Sequence, residues 1–248
     1  MLTAWLRFFR VVNLPTVPGD VLVGAVAVFS GAGVIMDYSV PLCNASLAGI
    51  CFYLFGLADN DIVGAAAGDR DRPIPEGKIS LRAARIARFV CWAAAVALGF
   101  CPDPVFSGSR LPGAWWLSSA ALLVAIVVYN RTKWWPLMGL CRGLNVLCGG
   151  LAAWPWLAAC GFDLSRSRLP LAAVVAIWTL YIALVTRYSE GEEEDAAKRR
   201  RVGFLVGAIV YWQILALVWF HSGLAVLTLI AMVAVRVMKM SMKEVNAS

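Results

Sequence analysis

Two stretches of this chain concentrate the side chains that could do chemistry. The first, residues 58–85, contains four aspartates, Asn60 and several arginines and lysines. Carboxylate and amide oxygens suit Mg²⁺, which is usually held by one or two of them together with the phosphates of a substrate. Arginine and lysine side chains beside such a metal bind the remaining phosphate oxygens. This stretch therefore predicts a site for a phosphate-bearing ligand.

The second stretch, residues 187–203, combines acidic residues with a run of basic ones. On a helix, Glu190 and Glu194 share a face because they lie four residues apart, and Lys198 continues that face. If the two stretches meet over one cavity, they suit a diphosphate held through Mg²⁺. The metal neutralises a departing diphosphate and so lowers the barrier to breaking an allylic C–O bond. The competing interpretation is that both stretches are solvated loops of mixed charge.

The composition determines what must position these stretches. Of the 248 residues, 61% are apolar and 15% are charged, and the mean hydropathy is +0.75. A soluble domain is about 45–50% apolar and about 25% charged, so the chain is an integral membrane protein. At ~20 residues for each spanning helix, the length allows one all-α bundle of about eight transmembrane helices over residues 1–248. The net charge of +7 fits basic loops at a membrane better than nucleic acid.

Eight apolar runs predict the spans. They are residues 21–36, 40–57, 86–100, 114–129, 137–160, 171–185, 202–220 and 224–240. Most of the 22 basic residues fall between alternate runs, on the side of the N-terminus. This bias predicts a multi-pass protein of the cell membrane with a cytoplasmic N-terminus, and it makes both charged stretches cytoplasmic loops. Residues 1–12 mix aromatic and basic residues, as an interfacial helix does.

A few polar residues lie within or beside the apolar runs. Arg142 and Asn145 lie one helical turn apart and so share a face. Either Arg142 points into a cavity and binds an acceptor or a phosphate oxygen, or it snorkels towards the membrane surface or pairs internally, for example with a carboxylate of the second stretch. Asp20 is expected to be an interfacial polar group rather than a catalytic base. His221 is the only histidine, which disfavours a histidine triad or a multi-histidine metal site.

Several of these segments together resemble the UbiA family of intramembrane prenyltransferases. Residues 10–20 (RVVNLPTVPGD) resemble the N-terminal entry of that family, and residues 72–80 (RPIPEGKIS) are similar to its R-P-[IL]-P-x-G-x-[IL]-S signature. Residues 129–133 (YNRTK) resemble its Tyr/Lys segment after the fourth helix. The second acidic stretch falls where the family has D-x-x-x-D, with Glu190 and Glu194 in place of both aspartates. These segments occur in the family's order along nearly the whole chain.

The resemblance implies a helical bundle with a central cavity, where Mg²⁺ and two acidic motifs hold a prenyl diphosphate. The prenyl group then moves to an aromatic or lipid-like acceptor. The residues that would bind the metal are Asp61, Asp69, Asp71, Glu190 and Glu194. All of them except Asp71 would also be catalytic. The residues that would bind phosphate or acceptor are Asn60, Arg72, Lys78, Lys133, Arg142, Asn145 and Lys198.

A second function remains open beside transfer. Asn60 and Asp61 match the family's opening Asn-Asp pair, but its two later aspartates fall at Gly64 and Gly68 here. A chain that has lost ligands in this way is also what a non-catalytic relative would show, one that binds or transports a lipid or isoprenoid metabolite. Such a protein would bind its ligand without a need for metal. The sequence leaves the acceptor, the prenyl length and the oligomeric state undetermined.

Overall fold

The computed structural model describes residues 2–32, 41–69, 72–101, 111–161, 163–191 and 195–220. Over these ranges the chain is helical and contains no strand, which confirms the predicted all-α class. The helices are α1 (Leu2–Phe8), α2 (Thr16–Ala32), α3 (Pro41–Ala66), α4 (Leu81–Phe100), α5 (Gly113–Thr132), α6 (Trp135–Ala159), α7 (Arg168–Ser189) and α8 (Ala196–Phe220). Short 3-10 turns at Val11–Asn13 and Leu164–Ser167 precede α2 and α7.

The predicted apolar runs coincide with long helices. Within the described ranges, α3 to α7 supply five helices that are long and apolar enough to cross a membrane, and Thr16–Ser30 of α2 is a shorter apolar helix. The run at 202–220 lies in α8, and the run at 224–240 lies outside the described residues.

Helix α2 lies at the centre of the bundle because small residues let its neighbours approach. A Cβ atom at Gly24 would lie 1.8 Å from the carbonyl oxygen of Val146 in α6. One at Gly149 in α6 would lie 1.9 Å from the carbonyl oxygen of Val21. Without those side chains the two backbones touch, as in other closely packed membrane helices. Helix α7 packs on the same pair.

Both charged stretches, which the sequence predicts to be loops, are partly helical. Helix α3 continues through Asp59, Asn60 and Asp61 and ends only at Ala66, where Gly68 follows with φ +87°. The Oγ atom of Ser80 accepts a hydrogen bond from the amide of Ala83 at 3.1 Å and so caps the start of α4. The first loop is therefore residues 67–80 rather than 58–85. The second is shorter too, because α7 runs to Ser189 and α8 starts at Ala196.

The N-terminal segment covers the base of the first loop. The predicted helix at 1–12 is present as α1, followed by the 3-10 turn. Phe8 is 1% exposed and packs with Ala58, Ile79 and Ala84, which come from α3, the loop and α4. This small cluster holds the loop against the end of α3, where the acidic residues are.

Candidate substrate-binding site

A cavity of about 130 Å³ lies between α2, α3, α5 and α6. Its wall is largely apolar, with Phe52, Leu122 and Ile126 among the lining residues. Polar groups line it where α3 and α5 end, and we call this the polar end of the cavity. The residues of the polar end are Arg10, Asn60, Tyr129 and Asn130. A polar end above an apolar body suits a ligand that has a polar head and a hydrocarbon tail.

Arg72 gathers the acidic residues of the first stretch. Its Nη1 group donates to Oδ1 of Asp61 at 2.8 Å and to the carbonyl oxygen of Asn60 at 3.3 Å. Its Nε group binds Asp69 as well. The side chain of Asp61 is 5% exposed and that of Arg72 is 18% exposed, so the pair is shielded from solvent. The structure thus brings Asp61, Asp69 and Arg72 together.

Asp59 is not among the site residues that the sequence predicts, and its buried carboxylate joins neighbouring helices. It is 1% exposed, and its carboxylate accepts from Nη1 of Arg88 at 2.8 Å and from the side-chain amide of Asn130 at 2.9 Å. These bonds tie α3 to α4 and α5. A carboxylate so fully paired is a packing element of the site rather than a free ligand.

Lys133 lies beside the polar end of the cavity, outside the lining itself and near the cations Arg10 and Arg72. It follows the last residue of α5 in the left-handed conformation, with φ 53°, and its ammonium group binds Oδ1 of Asn60. Burial lowers the pKa of Lys133, and the nearby Arg72 and Arg10 guanidinium groups lower it further. Because Arg72 is paired with Asp61 and Asp69, Arg10 and Lys133 contribute most of the positive potential that attracts an anion to this end of the cavity.

The donor set can be compared with what Mg²⁺ requires. Asp61 and Asp69 converge on one guanidinium, and two convergent carboxylates suit a Mg²⁺ ion whose other ligands are water and phosphate. A metal between them must displace Arg72. No cluster of three or more His, Cys, Asp or Glu residues occurs within the described part of the chain. The fit therefore depends on ligand phosphates to complete the coordination.

The second acidic stretch does not form the predicted helical face. Helix α7 ends at Ser189, Glu190 has φ −56° and ψ 123°, and Gly191 has φ +76°. Glu190 and Lys198 therefore belong to no common helix, and that prediction is wrong. Glu190 is exposed, and Lys198 donates from its Nζ atom to the Glu190 carbonyl oxygen. No described residue of 187–203 lines the cavity.

The remaining predicted residues have different environments. Lys78 is 57% exposed and pairs with Glu76 at 2.7 Å, away from the cavity lining. Asp71 and Glu194 lie outside the described residues. Arg142 and Asn145 both line the cavity.

Asp20 is the residue that sequence reasoning misjudged. It is 0% exposed and lies inside the bundle, so the prediction of an interfacial group is wrong. Nε of Arg142 lies 2.9 Å from Oδ2 of Asp20, and Nε1 of Trp178 donates to its Oδ1 atom at 2.8 Å. Gln213 and Asn145 also donate to this carboxylate, at 2.9 and 3.3 Å. Arg142 is thus paired internally, but with α2 rather than with the second stretch.

A signal for this pairing was present in the sequence. An ionisable residue within an apolar run is costly and calls for a partner of opposite charge. Asp20 precedes a long apolar run and Arg142 interrupts another, so the two were natural candidates for each other.

Solved structures resemble this fold, whereas neither a protein-family model nor a curated protein sequence matches the chain. A structure from work on digeranylgeranylglyceryl phosphate synthase in membranes is 16% identical, has a TM-score of 0.56, and covers 95% of this chain and 86% of that one. A UbiA homolog from Archaeoglobus fulgidus is 14% identical, has a TM-score of 0.53, and covers 97% and 87%. Its structure bound to DMAPP and Mg²⁺ gives 12% identity and a TM-score of 0.54, again with 97% and 87% covered.

This likeness shows the fold. The chain is an all-helical membrane protein with a UbiA-like fold, as the sequence predicts.

Proposed function

We propose that the protein is an intramembrane prenyltransferase, which moves a prenyl group from a prenyl diphosphate to an aromatic or lipid-like acceptor. The observation that carries the proposal is the cavity itself, because its apolar body ends beside three cations, Arg10, Arg72 and Lys133. A diphosphate between these cations relieves their mutual repulsion, while the apolar wall takes the hydrocarbon chain. The UbiA-like fold supports the same conclusion.

In this proposal the cationic residues hold the diphosphate and the cavity wall excludes water. The allylic C–O bond breaks with both electrons passing to the diphosphate oxygen. A nucleophilic atom of the acceptor then bonds to the allylic carbon and loses its proton. Phe52, Tyr53 and Tyr129 line the cavity and would stabilise the allylic cation through their ring faces. Water exclusion matters because water would otherwise capture that cation.

Asp61 and Asp69 are the residues that would hold Mg²⁺ in the described part of the site. When bound, the ion supplies positive charge that neutralises the leaving diphosphate. Arg72 and Mg²⁺ compete for these carboxylates, so a released Arg72 would bind phosphate oxygens instead.

The first experiment measures binding of non-hydrolysable farnesyl and geranylgeranyl diphosphate analogues to the purified protein in nanodiscs. Lys133→Met is expected to weaken binding by about tenfold to a hundredfold, since a charge-assisted hydrogen bond contributes about 1.5–3 kcal/mol. Lys78→Met is the matched control, because the Lys78 ammonium pairs with Glu76 whereas that of Lys133 binds Asn60 of the cavity lining, and it should leave the affinity unchanged. Equal effects of the two substitutions would contradict the assignment of the polar end.

A second function stands beside transfer: binding or transport of an isoprenoid metabolite without chemistry. It is favoured by one observation, that Arg72 occupies both Asp61 and Asp69. The same titration separates the two functions when it is repeated in EDTA. Transfer chemistry predicts binding that Mg²⁺ strengthens and that Asp61→Asn weakens in the presence of the metal. Binding that ignores both EDTA and Asp61→Asn favours the carrier.

The orientation of the protein belongs to the same proposal. We place the N-terminus and the polar end of the cavity on the cytoplasmic side of the cell membrane, where soluble prenyl diphosphates would reach Arg10 and Lys133. Labelling of a single introduced cysteine at position 78 in intact cells and in inverted vesicles tests this placement.

A further inference from the structure

Arg142 has one side facing a counter-ion and another side available to the cavity. Its Nη2 group donates to Asp20 at 3.0 Å and to the carbonyl oxygen of Thr16 at 3.1 Å. Its Nε lies 2.9 Å from the other carboxylate oxygen. Nη1 takes part in none of these contacts within the described part of the chain, and the side chain lines the cavity with 13% of its surface exposed.

Asp20 cancels the charge that Arg142 brings. The carboxylate is wholly buried, and beyond the ion pair its donors in the described part of the chain are the neutral groups of Trp178, Gln213 and Asn145. The group of side chains around Arg142 is therefore neutral as a whole. Among the described lining residues Arg10, at the polar end, is the other cation of this cavity. An anion bound to Nη1 away from Arg10 would leave a poorly compensated negative charge inside the bundle, which is costly in a medium of low dielectric constant.

Asn145 adds an acceptor next to that donor. Its amide nitrogen donates to the carbonyl oxygen of Val17 at 3.0 Å and to Asp20 at 3.3 Å. Its Oδ1 atom is buried without a hydrogen-bond partner, and the residue lines the cavity at 5% exposure. Gly49 leaves the space beside that oxygen free, because a Cβ there would lie 2.8 Å from it. A buried acceptor of this kind needs a donor to offset its lost hydration.

The size of the cavity limits what can occupy it. Its volume is about 130 Å³, close to that of an engineered apolar cavity of ~150 Å³ that binds benzene. One six-membered ring with a small polar substituent fits in such a space, so a prenyl chain bound at the same time must extend beyond this cavity.

We propose that Arg142 and Asn145 form a recognition site for a neutral, single-ring group in which an oxygen acceptor stands beside an N–H or O–H donor. The oxygen accepts from Nη1 of Arg142, and the donor satisfies Oδ1 of Asn145. Asp20 is a positioning residue, which fixes the guanidinium and makes the site select against anions. Only the identification of this ring with the prenyl acceptor rests on the proposed transferase function.

The test uses two probes of nearly equal shape and different charge, 4-fluorobenzamide and 4-fluorobenzoate. Binding of each to the protein in nanodiscs is followed at pH 7 by fluorine NMR, with empty nanodiscs as the blank. The amide is expected to bind about tenfold or more tightly than the anion, because only the anion leaves an unpaired buried charge. Equal binding, or tighter binding of the benzoate, would overturn the proposal.

Two substitutions sharpen the result. Asp20→Asn leaves the Arg142 charge uncompensated and should reverse the preference in favour of the benzoate. Cys141→Leu adds volume beside Arg142 in the cavity wall and should weaken both probes. Should Asp20→Asn not fold, the wild-type preference and the Cys141→Leu variant still decide the matter, and undiminished binding to Cys141→Leu would refute the location.

The probes need no diphosphate, so this experiment is independent of transfer. Selective amide binding together with failed diphosphate binding would remove the transferase and leave the recognition site standing. The converse result would remove the recognition site alone.

Discussion

Removal of Arg142 offers a direct measure of what the buried ion pair contributes. In Arg142→Gln, Asp20 loses the one cationic partner that it has among the described residues and keeps three neutral donors in a place with no exposure to solvent. Breaking a buried pair by removing one partner costs about 3–5 kcal/mol. The loss is large because four helices meet at this carboxylate: α2 carries it, and α6, α7 and α8 supply its donors.

The double variant Asp20→Asn with Arg142→Gln separates charge from packing. It removes both charges, while the amide oxygen introduced at position 20 can still accept from Trp178 and Gln213. We therefore expect the double variant to be more stable than Arg142→Gln alone by about 2 kcal/mol, since the uncompensated charge is gone.

Unfolding in mixed detergent and SDS micelles, followed by tryptophan fluorescence and circular dichroism, gives the free energy of unfolding for each variant. Arg166→Gln is the control, because the Arg166 side chain is 80% exposed, and it should leave the unfolding midpoint unchanged. A loss below about 1 kcal/mol in Arg142→Gln would be typical of an exposed pair. That result would refute the buried network on which both the bundle and the recognition site depend.

Two further predictions concern the first loop. Arg72→Gln frees Asp61 and Asp69 from their shared guanidinium, so calorimetric titration with Mg²⁺ should show tighter metal binding than in the wild type; unchanged binding would remove these carboxylates from the metal site. At the surface, a hydrogen bond from Lys78 is the main factor that lowers the pKa of Glu76. A lowered folded-state pKa adds stability above the ordinary value of 4.5 that is lost as the pH falls through the lowered value. Glu76→Gln should therefore flatten the acid side of the melting-temperature profile, and an unaltered profile would contradict this.

Much of the fold follows from local sequence. The helices α3 to α7 coincide with the apolar runs because each apolar segment long enough for a bilayer must satisfy its backbone hydrogen bonds internally. Helix ends were less predictable. The charge of residues 58–66 predicts a loop, yet α3 continues through them, since neither Asp59 nor Asp61 terminates a helix when its carboxylate has a partner.

The candidate site was predictable in its residue types and not in its pairings. The RPIPEGKIS segment pointed to the end of α3, and Asn60, Asp61, Arg72 and Lys133 do lie together there. The contribution of 187–203 was overestimated because an i,i+4 argument assumes an unbroken helix, and Gly191 with φ +76° interrupts it. The spacing of the acidic residues does not reveal such a break, whereas a glycine is itself a common signal that a helix ends.

The sequence by itself determined that this is a membrane protein, the class of its fold and the segments where its charged residues are concentrated. Those properties depend on the amino-acid composition and on the order of residues over short stretches, and both can be read directly from the sequence. Only the tertiary structure decided that Asp20 meets Arg142 across 122 positions and that Arg72 joins Asp61 to Asp69. In a medium of low dielectric constant each buried charge must find an opposite one, but the choice among partners depends on which helices pack together. Here Gly24 and Gly149 bring α2 against α6 and thereby bring Asp20 within reach of Arg142.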